Sequence, residues 1–170
     1  MLGLFDDPFR RIDVKRETAR SLLPKTRALA REAGRKAIVL LKNEGDLLPL
    51  PRSGKKIALI GPFAAGQHDL VGPWVVYGDD AKAVDLATGV RGAIANKSAV
   101  IVAQGSDVEA SITGGIAQAV AAARQADVVV LAIGEGAGMF GLSRLTSLGG
   151  DQAGLVYLPS MRVVPAHCLP

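Results

Sequence analysis

The chain has 170 residues, of which 49% are hydrophobic, 21% charged and only 4% aromatic. This length is enough for one domain with its own core, and the scarcity of aromatic residues favours an aliphatic α/β core over an aromatic-rich β-sandwich. The formal net charge of +4 is concentrated in residues 1–56, which hold 14 of the 20 Lys and Arg against seven acids. Because acids are interleaved with these bases, the pattern favours a solvated surface over a nucleic-acid partner.

Targeting and redox features are sparse. Cys168 is the only cysteine, which excludes an internal disulfide. No signal peptide is predicted, because the first five residues run directly into Asp6, Asp7 and Pro8. No apolar run reaches the roughly 18 residues that a membrane span needs, so no membrane partner is predicted. The sequence also contains no pattern that predicts a metal site or a cofactor.

Predicted elements alternate along the chain after a charged connector at residues 1–24. A helix is predicted over 25–43, because its apolar residues recur at helical spacing. Three apolar runs bounded by turn residues predict buried strands, and two segments between them predict helices, the second with a face of small residues. The strands are predicted at 56–60, 99–103 and 126–133, and the helices at 84–95 and 114–126. This alternation is typical of an α/β fold, a three-layer αβα sandwich with a mainly parallel sheet.

Two glycine-rich loops invite a nucleotide-binding interpretation. Gly61 and Gly66 have the spacing of a phosphate-binding loop, but Gln67 and His68 stand where Lys and Ser or Thr are needed. The GEGAG segment at 134–138 resembles a dinucleotide fingerprint, yet its third glycine is misplaced and no helical pattern follows. A nucleotide-binding domain therefore ranks third among the functional interpretations, and a plain structural loop is the alternative for both segments.

Six segments stand in a recognisable order: LGLFDDPF (2–9), VLLKN (39–43), LPL (48–50), IALIGP (57–62), GPW (72–74) and DVVVLAIGEGAGM (127–139). Together they resemble glycoside hydrolase family 3, the β-glucosidase type. That family usually joins a TIM-like barrel to an αβα sandwich, with the active site between them. The resemblance implies an interdomain linker at 1–24, a partial C-terminal sandwich domain at 25–156 and an irregular tail at 157–170.

The resemblance also implies an activity for the parent protein. Family members of this type hydrolyse terminal β-linked glucose by a retaining mechanism, and bacterial members are often periplasmic or secreted. Their nucleophile is an Asp on the barrel, which has no counterpart here. The implied partners are therefore a missing barrel domain and, weakly, a β-glucoside or oligosaccharide, and this chain alone is expected to be inactive. The alternative is a non-catalytic carbohydrate-binding or interaction module.

Few residues receive a site role from the resemblance. Trp74 falls where members often place an aromatic that stacks on the sugar; alternatively, it packs at the edge of the core. Glu135 follows the third strand and either lines the sugar cleft or caps loop amides. Leu142 stands about where many members carry the acid/base Glu, and leucine can transfer no proton. No catalytic residue is therefore assigned to this chain.

The family pattern is interrupted twice, around 140–145 and after 156. The tail has three prolines in 14 residues, which is incompatible with a regular helix. An altered reading frame at both places is a hypothesis that one uninterrupted genomic frame would refute. The sheet is accordingly expected to be incomplete at its C-terminus, with an exposed edge that favours self-association.

Overall fold

The computed structural model of this chain describes residues 3, 5–10, 12–72, 75, 78–134, 136–137 and 160–165, the last segment as backbone only. It divides into two compact units, Met1–Glu44 and Gly45–Pro170. The domain bounds implied by the sequence, at 24/25 and 156/157, stay a prediction. Among the described residues, no helix is both long and apolar enough to cross a bilayer.

The first unit contains two helices, neither of which has a buried residue. Helix α1 (Val14–Arg20) begins at Asp13, whose Oδ1 accepts hydrogen bonds from the backbone N–H groups of Lys15 and Arg16 at 3.0 and 3.2 Å. This carboxylate satisfies backbone donors that have no partner within the helix. The prediction of a connector over residues 1–24 therefore missed a helix.

Helix α2 (Pro24–Ala37) confirms the helix predicted over 25–43 but ends earlier than expected. Pro24 occupies the first turn, where its missing N–H and fixed φ are tolerated. The helix was predicted to continue to residue 43, yet Ile38 already has extended backbone at φ −71° and ψ 125°. The β-branched side chains of Ile38 and Val39 are crowded against the preceding helical turn, and this favours the extended conformation.

The second unit is built around one sheet. Its strands are β1 (Ile57–Ile60), β2 (Val100–Ala103), β3 (Val128–Ile133) and β4 (Ser160–Pro165). Their order is β2-β1-β3-β4; β1 pairs in parallel with β2 and β3, and β4 is antiparallel to β3. The three predicted parallel strands are therefore confirmed as neighbours in a single sheet.

Helices α3 (Leu86–Ala93) and α4 (Gly115–Arg124) cover opposite faces of this sheet. Side chains alternate along a strand, so β1 sends Ile57 and Leu59 into one core with Ala87 of α3, and Ala58 and Ile60 into the other. The second core contains three small residues of α4, Ala119, Ala122 and Ala123. These two cores confirm the three-layer αβα arrangement.

Strand β4 departs from the predicted irregular tail. The three prolines of the tail disfavour a helix, but they do not exclude a strand at the end of the sheet. Pro165 is the last residue of β4, and β4 is last in the strand order, where a missing N–H donor is tolerated. β3 is thus an inner strand of the sheet, paired with β1 on one side and β4 on the other.

Candidate functional site

The loops that follow β1 and β3 meet at the carboxyl edge of the sheet, where ligands of open α/β sheets usually bind. The loop after β1 is hydrogen-bonded to both neighbouring strands, β2 and β3. The N–H of Gly61 donates to the carbonyl of Ala103 at 3.1 Å, and the N–H of Phe63 donates to the carbonyl of Ala132 at 3.4 Å. Hydrogen bonds to β2 and β3 therefore fix the direction in which the chain leaves β1.

Gly61 is required by this geometry. Its φ of +122° is a conformation that L side chains rarely adopt, and a Cβ at this position would collide with the carbonyl oxygen of Ala132. A glycine at residue 61 therefore allows β1 and β3 to approach closely at the edge where the loops begin.

The loop after β1 continues into a short 3₁₀ helix, His68–Val71, and a second one follows at Asp80–Lys82. Two hydrogen bonds link the ends of this segment. The side-chain amide of Gln67 donates to the carbonyl of Ala83 at 2.7 Å, and His68 Nδ1 lies 2.8 Å from Asp80 Oδ2. These two bonds therefore join the ends of the stretch between the two 3₁₀ helices. Trp74 belongs to this stretch in sequence.

The pair of His68 and Asp80 is sensitive to protonation. The hydrogen bond to Asp80 and the negative charge of that carboxylate raise the pKa of His68 above its ordinary value. Both side chains are well exposed to solvent, so salt and water weaken the pair. The contact between the two 3₁₀ helices is strongest when His68 carries its proton.

Asp69 connects the loop after β1 to the loop after β3. Its Oδ1 accepts a hydrogen bond from the backbone N–H of Ala137 at 2.7 Å, across a sequence separation of 68 residues. Asp69 and Ala137 are both half-buried. The bond brings the segment before Trp74 and the segment around Glu135 to the same edge of the sheet.

Trp74, Glu135 and Leu142 themselves lie outside the described residues. Their proposed roles therefore stay predictions, although described neighbours of Trp74 and Glu135, Gly72 and Gly136, belong to the two joined loops. Sequence reasoning did not identify Asp69 or the pairing of His68 with Asp80. No local pattern signals either contact, because each depends on which distant loops the sheet brings together.

The geometry after β1 differs from that of a phosphate-binding loop. In such a loop the glycines lead directly into an α-helix whose N-terminus faces the phosphates. Here a 3₁₀ helix follows, and the next α-helix, α3, begins at Leu86. Its N-terminus is already capped by Asp85, whose Oδ1 accepts the N–H of Thr88 at 2.7 Å, and this bond lowers the pKa of the Asp85 carboxyl.

Two further features bear on ligands. Within the described part of the chain, no group of three or more His, Cys, Asp or Glu side chains is arranged to hold a metal ion. An open cavity of about 290 Å³ lies at the opposite, amino edge of the sheet, where Arg52, Lys55, Lys56 and Asp127 contribute to its lining. The carboxyl edge is nevertheless the better candidate site, because the bonded loops converge there.

Comparison with known proteins identifies the second unit. Residues 38–155 match the family model described as the glycosyl hydrolase family 3 C-terminal domain. The periplasmic β-glucosidase of Salmonella typhimurium is 35% identical, with 81% of this chain and 21% of that enzyme covered. The β-xylosidase of Formosa agariphila is 31% identical, with 91% and 21% covered.

Solved structures agree with these sequence relatives. The β-glucosidase of Listeria innocua in complex with isofagomine superposes with a TM-score of 0.69 at 37% identity, covering 80% of this chain and 18% of that one. Its complex with glucose gives a TM-score of 0.66 at 36% identity, covering 82% and 19%. This chain spans about a fifth of the length of the curated relatives it matches. The chain belongs to glycosyl hydrolase family 3 and corresponds to part of such an enzyme, the C-terminal sandwich domain.

Proposed function

We propose that this chain forms one wall of the sugar-binding cleft in a β-glucosidase-type glycoside hydrolase. The observation that carries the proposal is the bond between Asp69 and the N–H of Ala137, which joins two loops at the carboxyl edge of the sheet. Trp74 and Glu135, the two residues proposed to contact sugar, belong to these loops in sequence. Membership of family 3 supplies the substrate class.

The wall would bind and orient the sugar rather than cleave it. Retaining hydrolysis needs two carboxyl groups roughly 5 Å apart, one as nucleophile and one as acid/base. The proposed barrel partner would supply the nucleophile, and Leu142 stands at the expected acid/base position. The flat ring of Trp74 suits the C–H face of a glucose unit, and the carboxylate of Glu135 is suited to accept hydrogen bonds from sugar hydroxyls.

Sugar binding is tested by titrating the ¹⁵N-labelled chain with glucose and cellobiose, and in parallel with ATP and NAD. We expect the sugars to shift the amide resonances of Gly72, Gly134 and Gly136 with millimolar affinity, since one stacking platform contributes only about 1 kcal/mol beyond the area it buries. Trp74→Ala should abolish these shifts, while Val75→Ala, at an exposed neighbouring position, should retain them. Shifts produced by ATP or NAD alone would overturn the proposal.

Catalytic competence is tested with an aryl β-glucoside. The purified chain should show no turnover at any pH, and Leu142→Glu alone should not rescue it, because the nucleophile is still missing. Leu142→Glu together with a family 3 barrel domain supplied in trans should restore turnover. Turnover by the unmodified chain that Glu135→Gln abolishes would show that the roles are misassigned. Sugar binding without turnover in the two-domain mixture would instead indicate a non-catalytic carbohydrate-binding module.

A further inference from the structure

Asp69 occupies an unusual place in the second unit, because its side chain joins the loop after β1 to the described part of the loop after β3. It lies in the short 3₁₀ helix His68–Val71, and its own carbonyl accepts the N–H of Gly72 at 3.4 Å. Its side-chain carboxylate accepts a second hydrogen bond, from the N–H of Ala137 in the loop after β3, at 2.7 Å. A charged acceptor makes this a stronger bond than a neutral pair of backbone groups would form.

The loop after β3 is shaped to receive this carboxylate. A Cβ added at Gly136 would stand 3.2 Å from Asp69 Oδ1 and 3.5 Å from both methyl groups of Val108. The absence of a side chain at residue 136 therefore lets the loop lie close to both Asp69 and Val108. Three loops of the carboxyl edge, those after β1, β2 and β3, meet at this point.

The amino end of this 3₁₀ helix is also held by hydrogen bonds. Gln67 and His68, the two residues before Asp69, contact Ala83 and Asp80 across the base of the segment that contains Trp74. A displacement of Asp69 would therefore move both that closed segment and the loop that contains Glu135. Neither of the flanking contacts can substitute for Asp69, because neither reaches residues 134–137.

From this arrangement we infer that Asp69 is a positioning residue, which holds the two sugar-contacting loops in one fixed relation. The inference rests on the proposed function only for what the loops bind; the coupling between them is a property of the described residues. Asp69 has no contact with substrate in this role, and it acts through Ala137 and Gly136.

The coupling is tested without sugar on the whole chain. Three variants are compared: Asp69→Ala removes the acceptor, Asp69→Asn keeps an acceptor oxygen without the charge, and Asp107→Ala is the control. Asp107 lies after β2 at the same edge, and its carboxylate accepts the N–H of its own neighbour, Val108. The readouts are hydrogen exchange at the Ala137 amide and fluorescence of Trp74, which is the only tryptophan of the chain.

Asp69→Ala should accelerate exchange at Ala137 by at least about tenfold and shift the Trp74 emission maximum. Asp69→Asn should recover most of both signals, and Asp107→Ala should leave both unchanged. Gly136→Ala places a Cβ 3.2 Å from Asp69 Oδ1, so it should change both signals in the same direction as Asp69→Ala but by a smaller factor.

Unchanged exchange and emission in Asp69→Ala would overturn the inference, as would equal effects of Asp69→Ala and Asp107→Ala. The sugar titration of the unmodified chain separates the two proposals: if it fails while the coupling is observed, the proposed function is wrong and the positioning role stands. If sugar binds, Asp69→Ala should weaken glucose binding at least about threefold while Asp69→Asn stays close to the unmodified chain.

Discussion

Replacing Gly61 by Ala should destabilise the second unit more than the same replacement at Gly66. The two glycines lie in the same loop after β1 and have nearly equal φ angles, +122° and +126°. An alanine at either position would therefore carry a similar conformational strain, about 1–3 kcal/mol. They differ in surroundings: a Cβ at Gly66 meets nothing within 4 Å, whereas a Cβ at Gly61 collides with the carbonyl oxygen of Ala132.

The additional cost at Gly61 has two parts. The Ala132 carbonyl must move, and it accepts the N–H of Phe63, so about 1 kcal/mol of hydrogen bonding is lost. Forcing an extra carbon between β1 and β3 costs a further 1–3 kcal/mol, roughly the usual penalty for overpacking. Gly61→Ala should therefore exceed Gly66→Ala by about 2–4 kcal/mol in the free energy of unfolding.

Urea unfolding followed by far-ultraviolet circular dichroism measures this difference, with all proteins at one low concentration. Equal slopes of the unfolding free energy against urea for the two variants would establish that the shift in midpoint reflects native stability. Equal losses of stability in Gly61→Ala and Gly66→Ala would refute the argument that close approach to Ala132, rather than backbone strain alone, requires a glycine.

Three further perturbations test other parts of the second unit. Leu59→Ala removes a side chain that is 0% exposed and should cost about 2–5 kcal/mol in urea unfolding, whereas Leu70→Ala, 47% exposed, should cost less than half of that. The pKa of His68 in the folded state is raised above 6.5. The stability contributed by its pair with Asp80 is therefore fully present below pH 6.5 and is lost as the pH rises through the folded-state pKa. The destabilisation caused by Asp80→Asn should then be larger at about pH 5.5 than at about pH 8.5, and a pH-independent difference would contradict the pairing. Asp85→Ala removes the cap of α3 and should cost about 0.5–2 kcal/mol near neutral pH. The pKa of Asp85 in the folded state lies below its ordinary 3.8, so the stability contributed by this cap is fully present above pH 3.8. The stability of Asp85→Ala should match that of the unmodified chain only at a pH low enough to protonate the carboxylate.

The central sheet could be predicted because its signals are local. The run Ile57–Ile60 is uniformly apolar and ends at Gly61, and all four side chains are buried in the structure. A strand covered on both faces has no polar positions, so composition alone distinguishes it from an exposed strand. The small residues of the segment that forms α4 likewise indicate a helix that lies close to the sheet, as Ala119, Ala122 and Ala123 show.

The errors arose where local preferences competed. Leu40 and Leu41 continue the helical spacing of α2, but Ile38 and Val39 stand between them and the helix and favour extended backbone. Helix α1 was missed because its apolar residues are too few to form a stripe, although Asp13 is a capping signal. The proline content of the tail argued against a helix and gave no information about the antiparallel strand at Ser160–Pro165.

The candidate site could not be predicted to the same extent, because its contacts join residues that are distant in sequence. Asp69 and Ala137 are 68 positions apart, and their bond follows only from the sheet order that places β1 beside β3. Nothing in the immediate neighbourhood of either residue distinguishes it from an ordinary loop residue. A pattern could suggest Trp74 and Glu135 as sugar contacts through the family resemblance, but it could not identify what holds their loops together.

The contacts that hold the proposed cleft wall together and the position proposed for proton transfer lie in different segments of the sequence. Gly61, Asp69, Gly136 and Ala137, which join the described loops, all precede Leu142. None of these contacts involves residues 140–145, so a change confined to that segment would leave them in place. Leu142→Glu should consequently leave urea stability and Ala137 exchange unchanged, while Asp69→Ala alters the exchange and restores no chemistry. The proposed wall would thus stay intact without the proposed acid/base residue, which is why sugar binding and hydrolysis need separate measurements.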